Sequence, residues 1–154
     1  MAAWSACSPS EPLNAPRRDC DVVRIDFHGE RLRGSLSPAF QGLPKLQYLG
    51  LGHTEVSGDL AMLTACNELS VLDLSGTKIT GDLKAIENAV ELKRLYLTDT
   101  KVGGDIKALQ KAKKLDSIFL GNTDISGDMA SLRDAKLLTH FDLAGTGITG
   151  ARCF

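Results

Sequence analysis

Apolar positions along this chain recur with a period longer than any single helix or strand. Leu46, Leu69, Leu92, Leu115 and Leu138 stand 23 residues apart, and three positions after each come Leu49, Leu72, Leu95, Ile118 and Phe141. Two further on stand Leu51, Leu74, Leu97, Leu120 and Leu143. Each unit continues with a threonine (Thr54, Thr77, Thr100, Thr123, Thr146), then Val56, Ile79, Val102, Ile125 or Ile148, then a glycine (Gly58, Gly81, Gly104, Gly127, Gly150). A looser copy begins at Val22 and runs through Ile25, Phe27, Leu32 and Gly34, reaching the next unit after 24 residues. Self-similarity at such a period predicts a solenoid, in which each unit buries its apolar face against its neighbours.

The pattern inside a unit predicts its elements. Positions three and five after the leading leucine share one face of a strand by the two-residue period, and they point inward. Six strands follow. The threonine hydroxyl can serve backbone groups where the chain turns, and the glycine permits dihedrals that other residues avoid. After the glycine come Asp59, Asp82, Asp105 and Asp128, then Leu60, Leu83, Ile106 and Met129. The aspartates read as N-caps of short helical turns whose inner side is buried by Leu63, Ile86, Leu109 and Leu132. A calcium ladder would also stack aspartates, but the nonapeptide pattern of calcium-binding β-helices is missing.

The repeating unit Leu-x-x-Leu-x-Leu-x-x-Thr-x-Val/Ile-x-Gly-Asp-Leu resembles a leucine-rich repeat, and the resemblance covers residues 22 to 150. The period and the glycine column are similar to the plant-type subclass of receptor-like ectodomains, most closely in residues 32 to 46, Leu-Arg-Gly-Ser-Leu-Ser-Pro-Ala-Phe-Gln-Gly-Leu-Pro-Lys-Leu. Two positions depart from that subclass: threonine stands where it usually carries asparagine, and Asp-Leu where it usually carries Ile-Pro after a glycine. The resemblance implies an α/β repeat solenoid, a horseshoe with a concave parallel β-sheet of about six short strands and short helical or 3-10 turns on the convex side. Residues 1–21 are expected to cap the N-terminal end, with Trp4 and Leu13 over the first repeat. The solenoid then occupies 22–154, its last repeat incomplete.

On such a sheet the outward side chains lie two, four and six positions after the leading residue. They include Tyr48, Gly50 and Gly52; Asp73; Arg94 and Tyr96; Phe119 and Gly121; and His140 and Asp142. Tyr96 and Phe119 are expected side by side on adjacent strands, with Arg94 beside them and Asp73 on the preceding strand. Aromatic and arginine anchors among small residues are how interfaces concentrate binding energy, and Gly50, Gly52 and Gly121 would give a partner clearance. Tyr48, Asp73, Arg94, Tyr96, Phe119 and Asp142 are therefore the candidate partner-binding residues, and the partner class is protein or peptide. The plainer alternative is that the aromatic pair only stabilises neighbouring strands. A second reading makes the chain a scaffold subunit of a larger assembly, docking through its C-terminal edge or convex face. The final unit stops at Ala151-Arg152-Cys153-Phe154, so either Phe154 folds back over Phe141 and Leu143, or a flanking domain or partner covers the edge.

Composition narrows the remaining classes. Charged residues make up 24% of the chain and the net charge is -1, which gives no bulk attraction for nucleic acid or an anionic membrane. Lys101, Lys107, Lys111, Lys113 and Lys114 fall mostly on the convex side and its descending loop, where a solvated face explains them. No apolar run approaches the roughly 18 residues of a spanning helix, and Met1-Ala2-Ala3-Trp4-Ser5 lacks the features of a signal peptide. Of four cysteines, Cys7 and Cys20 bracket the pre-repeat segment and form a candidate disulfide. Cys66 sits where later repeats carry Ala89, Ala112 and Ala135, so it reads as a small buried thiol. Ser117, His140 and Asp142 superficially suggest a hydrolytic triad, but His and Asp two apart on one open strand, with no oxyanion donors, argue against an enzyme. His28, His53 and His140 lie in different units, too dispersed for zinc. No metal site and no cofactor are implied.

Overall fold

A computed structural model of the chain describes residues 22–150. The first sheet is parallel and built in chain order from β1 (Arg24–Asp26), β3 (Tyr48–Gly50), β5 (Val71–Asp73), β7 (Arg94–Tyr96), β9 (Ser117–Phe119) and β11 (His140–Asp142). These are the six strands the repeat predicts. Between them runs a second parallel sheet, made of β2 (Arg33–Ser35), β4 (Glu55–Asp59), β6 (Lys78–Asp82), β8 (Lys101–Asp105), β10 (Asp124–Asp128) and β12 (Gly147–Thr149). Sequence periodicity did not anticipate it. Each of the first five repeats is thus a strand, a tight turn, a second strand and a 3-10 turn, the last seen at Pro38–Gly42, Leu60–Leu63, Leu83–Ile86, Ile106–Lys111 and Met129–Leu132.

The core fills the space enclosed by the two sheets and the 3-10 turns. Every leading leucine from Leu46 to Leu138 is buried, as are Leu49, Leu72, Leu95 and Ile118 on the first sheet and Val56, Ile79, Val102 and Ile125 on the second. Because each column stacks like on like, a branched side chain meets its counterpart one strand spacing away, ~4.8 Å. Cys66 belongs to this core beside the small residues of its column, with its thiol 3.4 Å from the Phe40 carbonyl.

Polar columns hold the turns. Thr54, Thr77, Thr100 and Thr123 are buried, and each Oγ1 donates to the carbonyl three residues back, at 2.7, 2.6, 2.7 and 2.7 Å. Asp59, Asp82, Asp105 and Asp128 are N-caps, each Oδ1 accepting from the backbone N–H two residues on at 2.8 Å. The residue that opens the turn between the two strands is in the left-handed region in all six repeats: Gly29, His53, Gly76, Asp99, Asn122 and Gly145, with φ from +55° to +73°. Their identities differ, but glycine, asparagine, aspartate and histidine are the residues that tolerate this conformation best.

The candidate Cys7–Cys20 bridge, the cap expected over 1–21 and the fold-back of Phe154 lie outside the described residues. Within them, Phe141 of the last repeat, in the column of the buried Leu49, Leu72, Leu95 and Ile118, is exposed to 42%, and Leu137, at an outer position where earlier repeats carry Glu68, Glu91 and Lys114, to 59%.

Candidate functional site

The candidate surface is the outward face of the first sheet, and parallel register places its side chains. Residues four positions after each leading residue line up across the strands as Asp26, Gly50, Asp73, Tyr96, Phe119 and Asp142. The Tyr96 and Phe119 rings stack, with centroids 5.3 Å apart and planes 19° from parallel. Both side chains are half-buried, each anchored by its strand's inward neighbours Leu95 and Ile118. The row therefore joins Asp73, Tyr96, Phe119 and Asp142, as the period predicts.

Two other candidates are placed differently. Tyr48 stands in the neighbouring row, Arg24, Tyr48, Val71 and Arg94, and β5 separates its strand from that of Tyr96. Its ring is covered by the chain itself: the Arg24 guanidinium carbon lies 3.5 Å from the ring centroid, and the same guanidinium reaches Asp26 Oδ2 at 2.5 Å. Arg94 is on β7 beside Tyr96, and its Nε lies 3.6 Å from Asp116 Oδ1. Asp116 precedes β9 and was not among the expected facing residues. Its part in holding Arg94 follows from register only once the strand ends are known.

The glycines do not offer the clearance expected of them. A Cβ on Gly50 would lie 2.8 Å from Asp26 Oδ1 and 2.9 Å from the Tyr48 ring, and one on Gly52 would lie 2.7 Å from both Asp73 Oδ1 and His28 Nδ1. The chain's own side chains fill that room, so Gly50 and Gly52 are buried beneath them. A Cβ on Gly121 would sit 3.2 Å from Asp142 Oδ2. These glycines make space for intramolecular polar contacts rather than for a partner.

The histidines are also less dispersed than sequence spacing implies. His28 and His53 meet edge to face with centroids 5.3 Å apart, and His28 Nδ1 is 3.1 Å from Asp73 Oδ2. No group of three metal-ligating side chains forms among the described residues. Ser117, His140 and Asp142 come close together but do not form a relay. Ser117 Oγ donates to Asp116 Oδ1 at 2.6 Å, His140 Nδ1 pairs with Thr139 Oγ1 at 2.8 Å, and Asp142 Oδ1 accepts from the Ala144 N–H at 3.0 Å. Lysines of the basic unit reach the preceding repeat on the outer surface, Lys111 to Asn88 Oδ1 at 3.2 Å and Lys114 to Glu91 at 2.6 Å. No described helix is long and apolar enough to cross a membrane.

Stacked parallel strands, 3-10 turns and a buried threonine in the turns of four successive repeats define a class, the repeat solenoid with two parallel sheets. No protein-family model matches the chain, and no curated protein does. Solved structures do. The leucine-rich-repeat ectodomain of the receptor kinase SOBIR1 from Arabidopsis thaliana superposes with a TM-score of 0.73 at 23% identity, over 82% of this chain and 72% of that one. The Arabidopsis receptor kinase HAESA, solved with the peptide hormone IDA and the co-receptor SERK1, matches with a TM-score of 0.74 at 23% identity, over 81% of this chain and 22% of that one. The BIR3–SERK2 complex, also from Arabidopsis thaliana, matches with a TM-score of 0.66 at 26% identity, over 82% of this chain and 69% of that one. The chain has the leucine-rich-repeat fold, similar to that of plant receptor-kinase ectodomains.

Proposed function

We propose that this chain is a recognition module that binds a protein or peptide on the outward, concave face of its first sheet, as part of a receptor-like protein. One observation carries the reading: the stacked, half-buried Tyr96–Phe119 pair in the middle of an otherwise small and polar surface. Aromatic anchors held rigid by their neighbours lose little entropy on binding and contribute disproportionately to interface energy. Similar structures support the class of partner, since HAESA was solved with a peptide hormone and a co-receptor, and BIR3 with SERK2. Tyr96, Phe119, Asp73 and Asp142 are the contact residues. Arg94 is held at the margin by Asp116, and Tyr48 extends the surface toward β1.

The test is a pull-down from extract of the source cell, comparing the chain with a Tyr96→Ala/Phe119→Ala variant whose fold is checked by circular dichroism. A partner retained only by the unsubstituted chain places binding on this sheet. Equal capture by both sinks the assignment. In a second reading the chain is a subunit of a larger assembly that docks through its last repeat. The exposure of Leu137 (59%) and Phe141 (42%) favours it. Leu137→Glu would then abolish capture while the aromatic variant leaves it intact.

A further inference from the structure

The Tyr96 and Phe119 rings are separated by about one strand spacing, and their planes are nearly parallel, so they stand like successive leaves along the row. Each ring gives one face to the other. The outer face of Tyr96 is then turned toward Asp73, its register neighbour, and the outer face of Phe119 toward Asp142. An aromatic face carries the negative lobe of the ring quadrupole, and a carboxylate beside it deepens the same potential. Ring face and carboxylate together select a cation.

The two flanks are not equivalent. Both Asp73 oxygens are engaged, Oδ1 by the Ser75 N–H at 3.0 Å and Oδ2 by His28 at 3.1 Å. Asp142 is exposed and accepts from the Ala144 N–H through Oδ1 at 3.0 Å, while Oδ2 lies over Gly121, two residues beyond Phe119. Arg94, the basic side chain on β7, is turned to Asp116. At the other end of the same sheet, with ring and carboxylate in neighbouring rows, Arg24 lies on the Tyr48 ring while bonded to Asp26. Ring and carboxylate on adjacent strands of this sheet therefore already hold a guanidinium.

We infer that Phe119 and Asp142, backed by Tyr96, form a receptor for an arginine side chain of the partner, its guanidinium lying on the outer face of Phe119 and donating to Asp142 Oδ2. Arginine suits the site better than lysine, because its planar group stacks on a ring while its forked N–H donors reach a carboxylate. This rests on the first sheet being the partner-binding face and narrows the partner to a basic segment.

The probe is a peptide of four arginines alternating with glycines, compared with its citrulline counterpart, which keeps the shape and loses the charge, and with its glutamate counterpart. Proton NMR of the peptides with the full chain should show the arginine side-chain methylenes shifted upfield by the ring. The citrulline peptide should bind roughly three- to thirtyfold more weakly, and the glutamate peptide should not bind. Asp142→Asn should weaken the arginine peptide by a similar factor, and Phe119→Leu, which keeps the apolar volume, should remove the upfield shift. Equal affinity for arginine and citrulline, preference for glutamate, indifference to Asp142→Asn, or no binding at millimolar concentration each overturns the arginine assignment. The wider reading of the sheet survives those outcomes if a captured partner still depends on Tyr96 and Phe119, and falls only if the pull-down is indifferent to them.

Discussion

Gly104 lies against the N-cap carboxylate of Asp82 on the preceding repeat so closely that a Cβ there would stand 2.8 Å from Cγ and 3.1 Å from the Leu83 nitrogen. Its φ is +102°, a region open essentially to glycine alone. The glycine column and the aspartate column are therefore one device. From the third repeat on, the glycine makes room for the cap of the repeat before it, the same relation joining Gly81 to Asp59, Gly127 to Asp105 and Gly150 to Asp128.

Substituting Gly104→Ala should cost about 2 to 4 kcal/mol, combining an unfavourable dihedral with overlap against a carboxylate. Asp82→Ala alone should cost about 1 kcal/mol through loss of the cap to the Lys84 N–H. In the double variant the overlap is gone, so the summed costs should overshoot the measured one by about 1 kcal/mol. Urea denaturation of the four proteins measures this directly. Strict additivity would mean the two residues do not touch in the sense described.

Thr100→Val keeps the shape of a buried side chain and removes its donor, leaving the Leu97 carbonyl without the hydroxyl that reaches it at 2.7 Å. A buried acceptor left unsatisfied costs about 1 to 3 kcal/mol. Thr100→Ser retains the donor and should recover most of that difference. If valine and serine shift the denaturation midpoint equally, the column matters for packing and not for its hydrogen bond.

The inward columns, the threonines and the capping aspartates were legible in the sequence because each needs one residue type, repeated. The row Asp73, Tyr96, Phe119 and Asp142 was legible for a related reason: in a parallel stack a constant sequence offset is a straight line across the sheet. Properties shared by unlike residues were not legible. The second sheet has one inward apolar residue per strand, and its pairing is made by other repeats, as when the Leu36 N–H donates to the Ser57 carbonyl at 2.9 Å. The left-handed column hides behind six positions filled by four residue types. The contacts of Arg94 with Asp116, His28 with His53 and Gly52 with Asp73 all join different offsets of neighbouring repeats, which a column-by-column reading treats as separate.

That left-handed column makes its own prediction. Asp99, at φ +57°, should accept glycine or asparagine with little change, since both occupy the equivalent position in other repeats. Asp99→Val should cost about 1 to 2 kcal/mol, because a Cβ, and still more a branched one, crowds the carbonyl oxygen in this conformation. Thermal melts should rank glycine and asparagine near the unsubstituted chain and valine well below. Loss of the exposed contact to Asn122 Nδ2, present at 2.8 Å, should add little. A glycine variant as damaged as the valine one would show that the side-chain contact, not the dihedral, is what the position requires.

Burial pushes the Cys66 thiol up to about 11, whereas an unfolded cysteine ionises near 8.5. Between those values the unfolded chain has lost the proton that the folded chain still holds. Raising the pH through this window therefore favours unfolding, and the stability the neutral buried thiol provides is fully present below about 8.5 and shrinks towards 11. Cys66→Ala places in the second repeat the residue found there in the next three, and it removes the titration. Its urea midpoint should consequently fall less between pH 7.5 and pH 10 than that of the unsubstituted chain, and the difference between the two proteins isolates Cys66 from lysines and tyrosines that titrate in both. Iodoacetamide at pH 8 should leave the Cys66 peptide unmodified in the folded chain and modify it in urea. Identical alkaline slopes, or rapid native alkylation at Cys66, would show that this thiol reaches solvent and is not part of the core.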